Sequence, residues 1–257
     1  MAYAGLKIKS IIFRPSLLPS LVTAVLLYIM ISLGLWQLDR AEYKANLQSI
    51  IEMRSQQPPT SIDTVNIQGD RVDWLYQPVT TNGQYDNRHS LLLDNQVHNM
   101  EAGYHVYTPF KLTENSAILV NRGWVKRTAS RQQLPSIPVI EDTIKLDGYL
   151  NNEPYTGISL GEQHQVYSTF PAIVQSIDLN ALQKKINYQL LPVILVINQP
   201  QQSAFTIQPI KINMNSEKHQ AYAFQWFALS IALLVIYFTV NSKRITNPTH
   251  SNNDNEI

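Results

Sequence analysis

The sequence contains no cysteine among its 257 residues. That absence excludes disulfide bonds, thiolate metal sites, CxxC redox chemistry and the covalent attachment of c-type haem. Net charge is also nearly absent, because 20 basic and 19 acidic residues leave a formal charge of +1. A balance so close to zero gives no support to nucleic acid as a partner. The sequence also lacks a repeat of fixed period, which argues against a solenoid or a propeller.

Two long runs without any charged residue stand out against a mean hydropathy of −0.15. The first extends from Pro15 to Leu38 and the second from Gln220 to Ser242. Each is longer than the ~20 helical residues that cross the hydrocarbon core of a bilayer. We therefore predict transmembrane helices at residues 16–38 and 220–241. The alternative for the first run is a signal peptide cleaved near Ser32-Leu33-Gly34, but its apolar stretch is longer than a typical h-region.

Basic residues flank both runs on their outer sides: Lys7, Lys9, Arg14, Lys243 and Arg244. The positive-inside rule then places residues 1–15 and the polar tail 242–257, which we expect to be disordered, in the cytoplasm. Arg40, Lys44 and Lys218 lie on the inner flanks, but long segments cross membranes largely regardless of charge. No Arg- and Ser-rich transit peptide precedes the first run. The prediction is a multi-pass protein of the bacterial inner membrane with residues 39–219 in the periplasm.

The segment between the runs is large enough to bury its own core and reads as a β-rich α+β domain. Helical spacing first continues past the apolar run, until the prolines of QQPPT end it. Strand-like runs separated by Gly, Asn or Pro follow: YQPVTTNGQY, HSLLLDNQV, YHVYTPFKL, AILVNRGWV, TIKLDGYL, HQVYSTF, PVILVIN and AFTIQPI. One helix, IDLNALQKKIN, interrupts them, with Asp178 or Asn180 as its cap. The predicted fold is a membrane protein whose two transmembrane helices form a hairpin around this domain.

Two patterns resemble enzyme or metal sites. Residues 157–161 match G-x-S-x-G around Ser159, and Asp178 and His219 follow in the order of an α/β-hydrolase. A nucleophile elbow needs a strand before the serine and a helix after it. Here turn residues precede the serine and a strand-like run follows, so a Gly-rich turn is favoured and no catalytic residue is predicted. The histidines of the central segment show no metal-ligand spacing, which favours solvated or hydrogen-bonded imidazoles: His89, His98, His105 and His164.

The tetrapeptide Asn121-Arg122-Gly123-Trp124 ends an apolar strand-like run. Asn, Arg and Gly in this order suit a hairpin turn in which Gly adopts a positive φ. An exposed arginine beside an indole would instead form a contact surface for an acidic group or a ring on a partner protein. Both interpretations, a bare turn and a partner contact, remain open from the sequence.

The end of the first apolar run carries aromatic and cationic side chains on one helical face. Trp36, Arg40 and Tyr43 are spaced i, i+4 and i+7, and Lys44 flanks them. This is the pattern of an aromatic belt with snorkelling cations. It would equally suit a pair of cations that holds the carboxylates of an amphipathic ligand.

The stretch EKHQAYAFQWF opens the second run with a histidine. His219, Tyr222 and Trp226 fall at i, i+3 and i+7, and Ala223 leaves space beside them. A flat macrocycle with two carboxylates fits this chemistry, because imidazole ligates iron, the aromatic rings pack on the macrocycle, and Arg40 or Lys44 meets the propionates. The alternative is an interfacial histidine hydrogen-bonded to water. No metal is predicted at any other position.

Four motifs, LGLWQLDRAEYK, GYHVYTPF, LVNRGWV and EKHQAYAFQWF, occur in this order between and around the two apolar runs. Together they resemble the surfeit-locus (Shy-type) family of cytochrome c oxidase assembly factors over about residues 15–240. Tyr43 stands where that family more often has tryptophan. The motifs match at the following positions: Gly34, Trp36, Gln37, Arg40, Lys44, Gly103, His105, Thr108, Pro109, Phe110, Asn121, Arg122, Gly123 and Trp124.

The resemblance implies a non-enzymatic role in the maturation of haem-copper oxidase subunit I, through binding or handing over haem a. It implies that His219 is the haem ligand. The expected partners are oxidase subunit I, other assembly factors and membrane lipid, with Asn121 to Trp124 exposed for protein contact. A haem-free scaffold that holds oxidase subunits is the alternative, and a periplasmic serine hydrolase using Ser159 is the remote one.

Overall fold

The computed structural model describes residues 11–13, 15–128, 133–152, 169–199, 205–208, 210 and 215–244. The helices are α1 (Leu17–Ser55), α2 (Arg71–Trp74), α3 (Leu179–Gln183) and α4 (Ser216–Asn241). The strands are β1 (Ile11–Phe13), β2 (Thr60–Ser61), β3 (Pro78–Tyr85), β4 (Leu91–His98), β5 (Glu101–Lys111), β6 (Ser116–Lys126), β7 (Ile144–Asn151), β8 (Ala172–Val174), β9 (Gln189–Ile197) and β10 (Ser242–Arg244). Two compact units contain them, one formed by Met1–Gln48 with Ile212–Ile257 and the other by Ser49–Lys211.

The first unit contains α4 and the part of α1 up to Gln48. α1 and α4 are each long and apolar enough to cross a membrane. Beyond their ends, β1 pairs with β10 in antiparallel register. α1 continues for 39 residues as the helical spacing after the apolar run predicts, and it ends at Ser55, immediately before the predicted stop at QQPPT. This part of the prediction is confirmed.

The second unit is built on a strongly curved sheet of eight strands in the order β2-β3-β7-β9-β6-β5-β4-β8. β3 pairs with β7 over Pro78–Gly83 and then with β5 at Gln84 and Tyr85. This second pairing closes β3, β7, β9, β6 and β5 into a five-stranded barrel, on which β4 and β8 extend one side. The predicted β-rich domain between two apolar helices is therefore confirmed.

Barrel closure depends on a close backbone approach at Gly83, the residue where β3 leaves β7 for β5. A Cβ atom at this position would overlap the carbonyl oxygen of Lys111 and the ring of Phe110. Only glycine, which has no side chain, lets the two strands come this close without displacing one of them.

One face of the sheet packs against α3. Leu179 and Leu182 of this helix join Leu119, Tyr188 and Ile194 in one buried apolar cluster. The predicted helix is present but shorter than its apolar pattern indicates, and the side chain of Asp178, not Asn180, caps it by accepting a hydrogen bond from the backbone N–H of Ala181.

Six of the eight predicted strand runs correspond to β3, β4, β5, β6, β7 and β9. Most of HQVYSTF lies outside the described residues. AFTIQPI differs from the prediction, because its described residues form only an isolated bridge between Thr206 and Trp124. The hairpin between β4 and β5 turns through Asn99 and Met100, both with positive φ, as a two-residue turn of type I′ requires.

The prediction that Asn121–Trp124 form an exposed turn or contact surface is wrong. All four residues lie inside β6, which pairs with β5 along this stretch and with β9 as far as Asn121, and all four are buried. Arg122 is only 1% exposed, and Asn121 and Trp124 are also buried. The residues that suggested a turn form a β-bulge instead. Val106 pairs with Gly123 and Tyr107 with Asn121, which leaves Arg122 as the extra residue. Gly123 adopts the expected positive φ, +116°, but within a strand.

Candidate functional site

A hydrogen bond between side chains joins the two apolar helices. Nδ1 of His219 in α4 lies 2.7 Å from Oε1 of Gln37 in α1, although 182 positions separate the two residues in the chain. His219 is 5% exposed. Its Nε2 atom has no hydrogen-bond partner among the described residues, and it is not among the fully buried polar atoms that lack one. The histidine therefore uses one ring nitrogen to join the helices and leaves the other available.

Small residues surround this hydrogen bond and bring the helices together. Ala41 and Ala223, each one turn from a member of the pair, are 3% and 1% exposed. Gly34 is buried as well, and a Cβ atom there would lie 2.7 Å from the ring of Phe227. Small side chains at the contact are how apolar helices pack closely without a hydrophobic driving force.

A second polar contact lies toward the other end of the helices, where the hydroxyl groups of Ser20 and Tyr237 are 2.6 Å apart. The order of the contacts, Ser20 with Tyr237 and Gln37 with His219, shows that α1 and α4 run antiparallel. His219 consequently lies at the level of the Trp36–Arg40 turn of α1.

The residues predicted beside His219 on α4 differ in exposure. Tyr222 is 48% exposed, whereas Trp226 is half-buried. The i, i+3, i+7 spacing places the three residues along one side of the helix, with the imidazole at the helix contact and the tyrosine at its margin. The face of α4 that carries the buried histidine therefore also carries a partly exposed tyrosine and a half-buried tryptophan.

The face predicted on α1 is also open. Trp36 is 54% exposed, and the exposed guanidinium of Arg40 packs over the ring of Tyr43, 5.2 Å from its centroid. Lys44 is half-buried and lies two turns after Gln37 on the same side of the helix. The predicted aromatic and cationic residues of α1 thus flank the residue that holds His219.

Arg122 forms a second polar site, buried in the barrel unit. Its guanidinium carbon lies 4.5 Å from the centroid of the Tyr85 ring and 5.4 Å from that of Phe205. Nη2 donates a hydrogen bond to the carbonyl oxygen of Pro138 at 2.9 Å. Burial lowers the pKa of Arg122, and burial raises the pKa of the Tyr85 phenol while the nearby guanidinium partly opposes that rise. Contacts of this kind hold a buried cation through rings and backbone dipoles.

Sequence reasoning missed a buried carboxylate at the end of β3. Asp86 is 5% exposed and accepts hydrogen bonds from Nε of Arg88 at 3.1 Å and the Tyr188 hydroxyl at 2.9 Å, with Nδ1 of His89 at 2.7 Å. Burial alone would raise the pKa of Asp86, but the hydrogen bonds outweigh it and lower the pKa to about 2. Burial and the bond to this carboxylate raise the pKa of Tyr188. The only sequence signal was the short spacing of Asp86, Arg88 and His89.

The hydrolase alternative gains no support from its described members. Ser159 and its flanking glycines lie outside the described residues, as does His164. Asp178 caps α3, and His219 bonds to Gln37. Within the described ranges, no three His, Asp or Glu side chains come together as a metal-binding group. The remaining central histidines have individual neighbours, such as the indole of Trp124 at 5.2 Å from the His98 ring.

The amino-acid sequence is similar to known proteins of one family along most of its length. The sequence is 27% identical to a SURF1-like protein of Rickettsia felis, over 85% of this chain and 94% of that protein. It is 24% identical to a SURF1-like protein of Dictyostelium discoideum, over 80% of this chain and 90% of that one. A shorter match, 27% identical over 94 residues, relates 36% of the chain to 24% of the cytochrome oxidase assembly protein SHY1 of Saccharomyces cerevisiae.

The model of the SURF1 family matches residues 24–231. This range begins within α1, includes the barrel unit and ends within α4, so it contains both sides of the Gln37–His219 contact. The resemblance read from the four motifs is therefore confirmed, and the chain belongs to the SURF1 family.

Proposed function

We propose that this protein is an assembly factor for cytochrome c oxidase and that its two apolar helices hold haem a during the maturation of oxidase subunit I. Membership of the SURF1 family and the similarity to a yeast protein named for cytochrome oxidase assembly support the first part. The contact between Gln37 and His219 carries the second part, because it leaves one imidazole nitrogen uncommitted at the level where α1 carries its exposed aromatic and cationic residues.

The side chains at the helix pair have the chemistry that haem a requires. Nε2 of His219 would be the nitrogen ligand for the iron, and haem a would bring a redox-active iron centre destined for the oxidase. Tyr222, Trp226 and Trp36 supply apolar rings at or near the surface of the helix pair for packing against the macrocycle. Arg40 and Lys44 supply cations for the two propionates. The residues present therefore fit the group.

We propose further that the protein lies in the inner membrane of a bacterium, with α1 and α4 as a transmembrane hairpin and the barrel unit in the periplasm. The length and hydropathy of both helices support membrane insertion, and the basic residues on their outer flanks support cytoplasmic termini. Subunit I and other assembly factors are the proposed protein partners. Their contact surface is not the Asn121–Trp124 segment, because that segment is buried.

The test is a haem spectrum of the full chain, produced together with the enzymes of haem a synthesis and extracted in mild detergent. We expect haem a in the native protein and little in His219→Ala. His250→Ala, a histidine change beyond the end of α4, is the control and should retain haem. Absence of haem a from the native protein would contradict the carrier role and favour the haem-free scaffold.

The assembly role has its own test in the host cell. Deletion of the protein should lower the amount of cytochrome c oxidase that contains haem a, and expression of the native chain should restore it. Normal, fully haem-loaded oxidase in the deletion strain would contradict the assembly role itself.

A further inference from the structure

We propose that Gln37 is a positioning residue that fixes the tautomer of His219, so that Nδ1 carries the ring proton and the lone pair of Nε2 is presented for binding. The hydrogen bond itself is a property of the protein without ligand. Only the use of Nε2 as an iron ligand rests on the proposed function.

The tautomer follows from the two atoms that meet between the helices. Oε1 of the Gln37 amide can only accept a hydrogen bond, and it lies 2.7 Å from Nδ1 of His219. A neutral imidazole has one N–H and one lone pair, so a proton on Nδ1 leaves Nε2 unprotonated. Metal-bound histidines are commonly oriented in this way, with the other ring nitrogen donating to an oxygen acceptor.

The surroundings make this hydrogen bond strong and its geometry specific. His219 is buried, and the neighbouring helix residues Ala41 and Ala223 are almost fully buried as well. A hydrogen bond in such an environment is electrostatically stronger than one exposed to water, and a donor or acceptor left without a partner there is costly. The small side chains also hold the two backbones close enough for glutamine to reach the ring.

The hydrogen-bond partner of His219 comes from α1, and among the described residues no side chain of α4 itself bonds to this ring. Glu217 and Lys218 precede His219 and are exposed, while Ala223 follows at i+4. Formation of the ligand-competent tautomer therefore depends on the packing of both helices, and an isolated α4 would leave the tautomer to water. Gln37 contributes to the site although its own side chain offers no metal-ligating nitrogen.

The direct test is the protonation of the two ring nitrogens, measured by NMR on the full chain in detergent with ¹⁵N-labelled histidine, at a pH where imidazoles are neutral. His219→Asn identifies the signals of this ring. We expect a protonated Nδ1 and an unprotonated Nε2 in the native protein. In Gln37→Leu the Nε2–H form should appear, whereas Gln37→Glu should keep the proton on Nδ1. Gln48→Leu, at an exposed position of the same helix, should change nothing.

The second test links the tautomer to binding, with haem a as the probe. Gln37→Leu should weaken haem a binding about 10- to 100-fold, and Gln37→Glu should restore most of it. Thermal unfolding of each variant separates this effect from loss of the fold. If Gln37→Leu does not fold, the tautomer of the native protein still decides the proposal.

The outcomes separate the two proposals. A proton on Nε2 in the native protein, or an unchanged tautomer in a folded Gln37→Leu variant, would overturn the positioning role whether or not haem binds. The expected tautomer in a native protein that never acquires haem a would uphold the role of Gln37 and refute the haem carrier.

Discussion

Replacement of Arg122 by lysine should destabilise the barrel unit more than replacement by methionine does. Lysine keeps a buried positive charge but loses the planar guanidinium, which packs over Tyr85 and reaches the carbonyl of Pro138. Methionine loses the same contacts but also removes the charge, whose burial is unfavourable. Because both side chains are long and flexible, the difference between the variants isolates the effect of the charge.

The size of the effect follows from the two shortest contacts. The hydrogen bond from the charged guanidinium to Pro138 contributes about 1.5–3 kcal/mol, and a desolvated cation–π contact such as that with Tyr85 about 2 kcal/mol. Arg122→Lys should therefore lower the free energy of unfolding by about 3–5 kcal/mol. Arg122→Met should lower it by about 1–3 kcal/mol, since removal of the buried charge offsets part of the loss.

Thermal unfolding of the full chain in mild detergent, followed by near-ultraviolet circular dichroism, measures the difference. In a unit of this size each kcal/mol shifts Tm by about 2–4 °C, so the lysine variant should melt about 10 °C below the native protein. Lys185→Met, an exposed change beside α3, is the control and should leave Tm nearly unchanged. A lysine variant as stable as the native protein, or more stable than the methionine variant, would refute the reasoning.

Three further predictions concern acid stability and the close contacts at glycine. The depressed pKa of Asp86 contributes about 2 kcal/mol of stability above pH ~4, and this contribution is lost as the pH falls toward the pKa of about 2 in the folded protein. In acid-unfolding curves, the stability difference between the native protein and Asp86→Asn should therefore shrink over that interval. Gly34→Leu should destabilise the helix pair by about 1–3 kcal/mol in thermal unfolding. Addition of Phe227→Ala to the same chain should recover part of the loss, so the effects of the two substitutions should not be additive. Gly83→Ala should cost about 3 kcal/mol, the upper end of the usual range for overpacking, because its methyl group meets the backbone of Lys111; an unchanged Tm would contradict the close approach.

The elements that the sequence predicted correctly are those governed by local pattern. The length and hydropathy of α1 and α4, the end of α1 before QQPPT, the six strands and the cap of α3 at one of two candidate residues all depend on residues close in the chain. Hydrophobic period, proline and capping chemistry carry this information directly. The four motifs then identified the family, which no single element would have done.

The closed barrel and its buried polar groups could not be read in the same way. Closure requires β3 to change partners from β7 to β5, and the choice of partner is a long-range property of the sheet. Asp86 meets Tyr188 across 102 positions of the chain. The segment around Arg122 was misread because Asn, Arg and Gly favour turns locally. In the folded protein, burial of this segment within the sheet outweighs the local preference.

The contact at the candidate site was also beyond what local sequence pattern could predict. The sequence placed Gln37 and His219 each near the end of an apolar run, but spacing along one helix carries no information about a contact made to another helix. This contact makes the site a property of the helix pair, so its chemistry and its packing should respond together. Gly34 lies one turn from Gln37 and packs against Phe227, yet a leucine there should release His219 from the fixed tautomer as it separates the helices. If Gly34→Leu lowered stability while the ¹⁵N spectrum of His219 stayed native, helix packing and tautomer would be independent, and a local explanation within α4 would be required.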